Sequence, residues 1–234
     1  MFKTCGVILT AALLAACGAP EVRRTQNAAA AAAHAEPLGI TAYHIDSARS
    51  ELRLLVYRAG PLAQFGHNHV IVNRAVDGWV AAAEPASAAS FSVRIPVADF
   101  VVDDPGARAE EGTDFSGEVA EDAKSGTLRN MLSTALLDAD RFPSITLSSI
   151  AVTQAPGTQA PGTLTARLTV DVAGHQATLV VPFVLETSAG WLSASGTVVL
   201  RQSDMGLTPF SLMLGALRVQ DEFIVKFKLV ALKG

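Results

Sequence analysis

The stretch "TLTARLTVD" (residues 163–171) alternates polar and apolar side chains from end to end. The apolar residues that would share one face of an extended chain are Leu164, Ala166, Leu168 and Val170. Thr163, Arg167 and Asp171 would point to the other face, because successive side chains of a strand alternate. A period of two predicts a β-strand with one buried face and one face in water.

The same alternation recurs on both sides of this stretch. The sequences are "ELRLLVYR" (51–58), "SFSVRIPV" (90–97), "SITLSSIAV" (144–152), "ATLVVPFVLE" (177–186), "SASGTVVLR" (193–201) and "FIVKFKLVA" (223–231). Gly, Pro and Asp residues separate them, and Pro156-Gly157 and Pro161-Gly162 bracket a predicted loop. Such a series predicts an all-β, antiparallel sandwich or barrel.

One segment, "TLRNMLSTALLDADRFP" (127–143), has a helical period instead. Its apolar residues Leu128, Met131, Leu132, Ala135 and Leu136 recur at the spacing of one helix face. The spacing predicts a short amphipathic helix, with Pro143 preventing any continuation. Met131 and Leu132 would form core at one end or flank of a barrel, and a ligand-facing role is the alternative.

The N-terminus, "MFKTCGVILTAALLAACGAP", is typical of an export signal. Lys3 precedes an apolar stretch over residues 6–14, which is shorter than the roughly 20 residues that span a bilayer. Leu14-Ala15-Ala16-Cys17 resembles a bacterial lipobox, which implies cleavage before Cys17 and diacylation of its thiol. The alternative is ordinary signal cleavage beside an incidental cysteine.

The cysteine content agrees with a lipoprotein. Cys5 would leave with the signal peptide and Cys17 would carry lipid, so no disulfide could form. We therefore predict a signal peptide over residues 1–16, a lipidated cysteine and Ala-rich tether over 17–39, and a β domain over 40–234. By resemblance to bacterial lipoproteins, Gly18 implies the periplasmic face of the outer membrane.

The charge balance argues against a nucleic-acid partner. The formal net charge is −4, and no cluster of Lys and Arg follows a groove. Neutralising phosphates requires concentrated cations, which this chain lacks. No feature of the sequence indicates a protein partner.

Several stretches together resemble the YceI-like family of bacterial exported proteins. They are "YHIDSARSELRLLVYRAG" (43–60), "MLSTALLDADRFPSITLSS" (131–149), "LTARLTVDVAGHQATLVVPF" (164–183), "LRQSDMGLTP" (200–209) and "GALRVQDEFIVKFKLVA" (215–231). The most specific elements are D-x-x-R-F-P-x-I at Asp138–Ile145 and Q-S-D-M-G at Gln202–Gly206. The resemblance covers roughly residues 40–232.

This resemblance implies an eight-stranded, lipocalin-like antiparallel barrel that holds a polyisoprenoid chain, such as that of an isoprenoid quinone. The residues are compatible with such a ligand, because half of the chain is hydrophobic and each buried CH₂ contributes roughly 0.8 kcal/mol. About eight strands leave an interior that is either filled by side chains or able to hold one small ligand.

The turn "QFGHNHVIV" (64–72) departs from the family pattern and holds two of the five histidines. On a strand, His67 and His69 would face the same side and could chelate a metal, but a third ligand would have to come from distant residues. In the plainest interpretation, Phe65 packs beneath a polar turn whose imidazoles bond to backbone. We favour a turn at a barrel mouth, where a histidine bonds the polar head of a ligand.

Three functions remain open from sequence. The first is lipid binding, with His67, His69, Phe65, Phe91, Val93, Leu168, Met131 and Leu132 as candidate contacts. The second is a metal-assisted or redox-linked enzyme that uses the histidine pair, although no Gly-x-Ser-x-Gly elbow indicates nucleophilic catalysis. The third is a structural or stress-related envelope protein with a filled barrel. We predict a binding protein that has no cofactor and no resident metal.

Overall fold

The computed structural model describes Glu36, residues 42–155 and residues 162–234. The predicted signal peptide, Cys17, nearly all of the predicted tether and the loop over 156–161 lie outside the described residues. Within the described ranges, no helix has the length and apolar character that crossing a membrane requires.

The described chain is mostly β-strand. The strands are β1 (Ala42–Ile45), β2 (Glu51–Ala59), β3 (His69–Asn73), β4 (Asp77–Ala81), β5 (Ser90–Pro96), β6 (Phe100–Val102), β7 (Ser144–Gln154), β8 (Thr163–Val172), β9 (His175–Ser188), β10 (Trp191–Arg201), β11 (Ser211–Leu212) and β12 (Leu217–Lys233). Two α-helices, α1 (Pro105–Ala109) and α2 (Glu121–Leu132), lie between β6 and β7.

The strands form a closed, eight-stranded antiparallel barrel, as predicted. β1 and β2 both pair with β12 and form one long strand, interrupted by a 3-10 turn at Ser47–Arg49. β3 and β4 form the second long strand, and β5 and β6 form the third. The remaining five are β7, β8, β9, β10 and β12, and pairing of β1 with β12 closes the ring.

The connection between β8 and β9 shows how local sequence fixes the register. Ala173 and Gly174 both have positive φ, 49° and 79°, as a two-residue type I′ hairpin turn requires. Val172 therefore pairs with His175, and Leu168 pairs with Leu179. The apolar residues of both strands consequently share the inner face of the barrel.

A second, smaller core lies outside the barrel wall. Its buried members are Leu55, Val70, Val72, Ala107 and Phe115. Val70 and Val72 come from the outer face of β3, and the segment over residues 103–120 covers them. β3 is therefore buried on both faces, which explains why "HVIVN" lacks the alternation of the other strands.

Ion pairs attach this covering segment to the wall. The Glu111 carboxylate, almost fully buried, accepts hydrogen bonds from Arg53 at 2.7 Å and Lys226 at 2.5 Å. Burial raises the pKa of Glu111, but the two cations outweigh burial and hold that pKa below its ordinary value.

The predicted helix exists, but it begins and ends earlier than its apolar spacing indicated. Leu128, Met131 and Leu132 are helical, whereas Ala135 and Leu136 lie in the turns that follow. The helix ends because Ser133 adopts an extended conformation and its hydroxyl donates to the Asn130 carbonyl at 2.7 Å. Side-chain bonding of this kind competes with the helical ladder.

Candidate functional site

The barrel encloses a cavity of about 440 Å³, within the range of small-molecule sites. Its wall is formed by the inward-facing apolar residues of the long strands. Representative members are Leu54, Phe91, Val93, Leu168, Val181 and Phe227. A filled barrel would leave no such space, so the cavity speaks against the filled-barrel alternative.

One end of the cavity opens to solvent. Among the lining residues, the exposed ones are Arg58, His67, Asn130 and Arg218. All four lie where β2 ends, β3 and β12 begin, and helix α2 covers the barrel. We call this end the mouth. The polar residues Thr127 and Gln202 also line the cavity here.

The opposite end, which we call the floor, is apolar. It is lined by Ala86 and Ala89 of the connection between β4 and β5, and by Val152, Leu164, Leu185 and Leu192 from strand ends. None of these six residues is exposed. A ligand that enters from the mouth thus meets hydrogen-bonding groups first and only hydrocarbon further in.

At the mouth, His69 is held in a buried polar network. Its Nδ1 lies 2.6 Å from Oδ2 of Asp103, whose side chain is fully buried. The other carboxylate oxygen of Asp103 accepts from the backbone N–H of Val70 at 2.9 Å and from Arg108 at 2.5 Å. Arg108 also donates to the backbone oxygens of Asn68 and Gly117, each at 2.9 Å.

This network fixes the imidazole and its tautomer. An ionised Asp103 only accepts hydrogen bonds, so Nδ1 of His69 must carry a proton. In the neutral imidazole, Nε2 is then an acceptor, and it lies 3.3 Å from the Thr127 hydroxyl of helix α2. Because both His69 and Thr127 line the cavity, this pair can accept one hydrogen bond from a ligand or donate one to it.

Electrostatics keep the Asp103 carboxylate ionised. Burial raises the pKa of Asp103, but hydrogen bonds from His69, Val70 and Arg108 outweigh burial and lower that pKa below its ordinary value. Asp103 also has a positive φ of 57°, a conformation that Asp and Asn tolerate better than most residues.

His67 differs from His69, although both line the mouth. His67 is exposed, and its ring centroid lies 6.1 Å from that of His69. It precedes β3, so the expectation that both histidines sit on one strand is only half right. In the part of the chain that the structure describes, no group of three or more His, Cys, Asp or Glu residues could hold a metal.

The structure brings six of the eight candidate contacts to the cavity, namely His67, His69, Phe91, Val93, Leu168 and Met131. Leu132 instead packs against the barrel core without lining the cavity. Phe65, the remaining candidate contact, does not line the cavity, and the alternative in which it packs beneath the turn is wrong as well. Phe65 ends a 3-10 turn at the rim, Ala63–Phe65, and 70% of it is exposed.

Sequence reasoning missed Asp103, Arg108 and Thr127. Asp103 and Thr127 lie 34 and 58 residues from His69 along the chain, so no local pattern connects them. The one sequence signal nearby was Asp104-Pro105, a pattern typical of a helix start. In the structure Asp104 caps helix α1, which carries Arg108, by accepting from the Ala107 N–H at 2.9 Å.

Comparison with known proteins agrees with this architecture. The model of the YceI-like domain matches residues 43–231. The chain belongs to the YceI-like family. This membership confirms the resemblance seen in the sequence and points to a binding protein rather than an enzyme. No curated protein matches the chain.

Two solved structures share the fold. Burkholderia cenocepacia BcnA is 18% identical with a TM-score of 0.58, and the match covers 80% of this chain and 99% of that chain. A polyisoprenoid binding domain from Saccharophagus degradans, implicated in plant cell wall breakdown, is 12% identical with a TM-score of 0.54. That match covers 83% of this chain and 99% of that one. At these identities the matches establish the fold.

Proposed function

We propose that this barrel binds an isoprenoid-type lipid, either a polyprenyl chain or an isoprenoid quinone, and stores or carries it. The observation that carries the proposal is that the cavity has hydrogen-bonding groups at one end, the mouth, and only apolar groups elsewhere. An apolar wall and floor favour a long hydrocarbon chain, and burying one five-carbon unit contributes roughly 4 kcal/mol before the costs of ordering.

The mouth is suited to the polar head of such a lipid. His69 is fixed by Asp103, and His67 is free to adjust at the exposed rim. In this proposal the two histidines orient the head, while the wall supplies most of the affinity. The Saccharophagus degradans neighbour, named as a polyisoprenoid binding domain, supports this ligand class.

Organic extraction of the purified chain, followed by mass spectrometry, tests the proposal. We expect a lipid with a repeating five-carbon unit, at a substantial fraction of one molecule per chain. A chain that carries no lipid and takes up no added polyprenol would overturn lipid binding. Metal analysis of the same sample tests the enzyme alternative, which stoichiometric metal would favour.

We also propose that the mature chain begins at an acylated Cys17 and is held at the periplasmic face of the outer membrane. The sequence around Cys17 supports this anchor, and the tether over residues 17–39 would give the barrel reach. The Cys17→Ser chain should lack acyl groups by mass spectrometry. A wild-type chain recovered without lipid and starting at Ala19 or later would contradict the anchor.

A further inference from the structure

An apolar surface surrounds part of the mouth outside the cavity. The short strand β11 and the turn after it expose Leu212, Met213 and Leu214: Leu212 is 48% exposed, Met213 is 72% exposed, and Leu214 is fully exposed. Phe65, on a separate loop, is 70% exposed. We call these four residues the rim cluster. Exposed apolar groups of this kind mark interaction sites more often than isolated ones do.

The two loops of the rim cluster are neighbours. The backbone N–H of Leu62 donates to the Ala216 carbonyl at 2.8 Å, which joins the Phe65 loop to the base of the β11 turn. A Cβ atom built on Gly66 would lie only 3.0 Å from Cδ1 of Leu217, so these loops are in close contact.

The backbone of this turn has a conformation that residues with side chains disfavour. Met213 and Leu214 have φ values of 51° and 56°, in the left-handed region that side-chain-bearing residues avoid. Two consecutive residues in that region are costly for the backbone, and such conformations concentrate at functional segments. Here the result is the display of two large apolar side chains at the tip of the turn.

The rim cluster is continuous with the cavity. Phe210 and Leu217, which flank the turn, both line the cavity, as do Gly66 and His67 beside Phe65. An apolar path therefore runs from the exposed tip to the inner wall.

Cations flank the same surface. Arg58 and Arg218 are exposed at the mouth, and neither has an acidic partner among the described residues. The nearest carboxylates of β12 are already engaged, because Glu222 pairs with Arg201 and Asp221 accepts from Ser203. Apolar tips flanked by guanidinium groups without acidic partners complement a bilayer surface, where acyl chains lie beneath phosphates.

We propose that the rim cluster docks on a lipid bilayer and inserts Leu214 and Met213 among the acyl chains, so that the mouth faces the membrane. This contact goes beyond lipid binding in the cavity and is separate from any anchor at Cys17. It would let an apolar ligand pass between bilayer and barrel without crossing water.

A position-specific probe in the full chain tests this contact. The Leu214→Trp chain is mixed with vesicles of phosphatidylethanolamine and phosphatidylglycerol, some with brominated acyl chains. We expect a blue shift of Trp emission and strong quenching by bromine. Val180→Trp is the matched control, because Val180 is 60% exposed but lies on β9, away from the rim. Both chains share the native Trp79 and Trp191, so the difference between them reports position 214, and an anchor elsewhere does not produce that difference.

Further variants sharpen the result. Adding Met213→Asp to the Leu214→Trp chain should weaken bromine quenching at least about tenfold, since a carboxylate replaces an apolar group that docking would bury among acyl chains. Adding Arg218→Gln instead should reduce quenching in anionic vesicles and leave it unchanged in pure phosphatidylcholine vesicles. Met213 and Leu214 do not line the cavity, so lipid extraction from the chain that carries Met213→Asp and Leu214→Trp should match the wild type.

Other outcomes would overturn bilayer docking. Equal responses of the Leu214→Trp and Val180→Trp chains would leave the rim cluster without a membrane contact. A blue shift that grows with protein concentration and needs no vesicles would identify a second copy of the chain as the occupant. Either result can occur while lipid is still extracted from the barrel, so failure of docking is distinguishable from failure of the proposed function.

Discussion

The mouth and the floor of the barrel are made from the same strands, yet they differ in chemistry. At the mouth, His67, His69 and Arg58 line the opening, and water can reach part of it. At the floor, Leu185, Leu192 and the alanines offer no hydrogen bond. Polar groups beside water avoid a desolvation cost, whereas the same groups at the floor would need buried partners.

The orientation of the ligand and its affinity are therefore determined at different places along the barrel axis. The floor and wall contribute free energy in proportion to the buried apolar area, with little regard to ligand detail. The mouth contributes a few directional bonds, each of modest net strength. A ligand with one polar end and one long apolar tail fits this division in a single orientation.

The largest effect is expected from a charge placed in the wall. Leu168→Asp puts a carboxylate at a buried position that lines the cavity. We expect a loss of at least about 3 kcal/mol in unfolding free energy and no retained lipid, because a buried charge has no partner there. Urea unfolding and lipid extraction measure both quantities.

Leu168→Met is the control for that change, since it keeps volume and apolarity. We expect it to cost less than about 1.5 kcal/mol and to retain lipid. A folded Leu168→Asp chain that still carries lipid would show that the ligand does not reach the wall at β8.

The next effect concerns the network that holds the mouth. Asp103→Asn keeps the shape and tolerates the positive φ, but it leaves the Arg108 charge without its carboxylate. We expect a loss of roughly 2–4 kcal/mol in unfolding free energy at neutral pH. Asp104→Asn is the matched control, because Asn caps a helix nearly as well as Asp and should cost little.

Its pH dependence has a definite sign. The pKa of Asp103 is lowered in the folded state, so its stabilisation is fully present above the ordinary Asp value of about 3.9 and is lost as pH falls through the lower folded pKa. Wild type should therefore lose its advantage over Asp103→Asn only under acid conditions. A difference in unfolding free energy between the two chains that stays constant from neutral to acid pH would contradict the ionised network.

The sequence predicted the wall better than the mouth, for physical reasons. Strands such as β8 face water on one side, so their alternation is visible. β3 was harder to predict as a strand. The segment over 103–120 buries its outer face, so both faces carry apolar residues and the alternation is lost. Phe65 was misplaced because hydrophobicity alone does not report whether a rim residue is buried. Asp103 and Arg108 reach His69 only through tertiary folding.

A third change shortens the cavity from the side of the floor. Ala194 lies on β10 and lines the cavity between the floor and the middle of the wall. Ala194→Phe should fill part of the space, lower affinity for long polyprenyl chains by roughly tenfold, and favour shorter ones. Mass spectra of extracted lipid measure the shift, with Ala194→Val as the smaller control. Identical chain-length distributions would mean that the tail does not reach this level.

The smallest effects are expected from the histidines, and they separate the two roles at the mouth. His67→Gln and His69→Gln should each reduce lipid affinity tenfold or less, because a net hydrogen bond contributes about 0.5–1.5 kcal/mol. Only His69→Gln should also lower the melting temperature, since it removes the donor to buried Asp103. His44→Gln, on β1 at the other end of the barrel, should change neither quantity.

If the pair instead chelated zinc, wild type would contain stoichiometric metal and either single variant would release most of it. Metal affinity would then fall as pH drops through the range where imidazoles protonate. If both side chains were only structural, the double variant would bind lipid with wild-type affinity and lose stability alone. Lipid affinity, metal content and melting temperature of the two single variants and the double variant distinguish these cases, and we expect a small loss of affinity without bound metal.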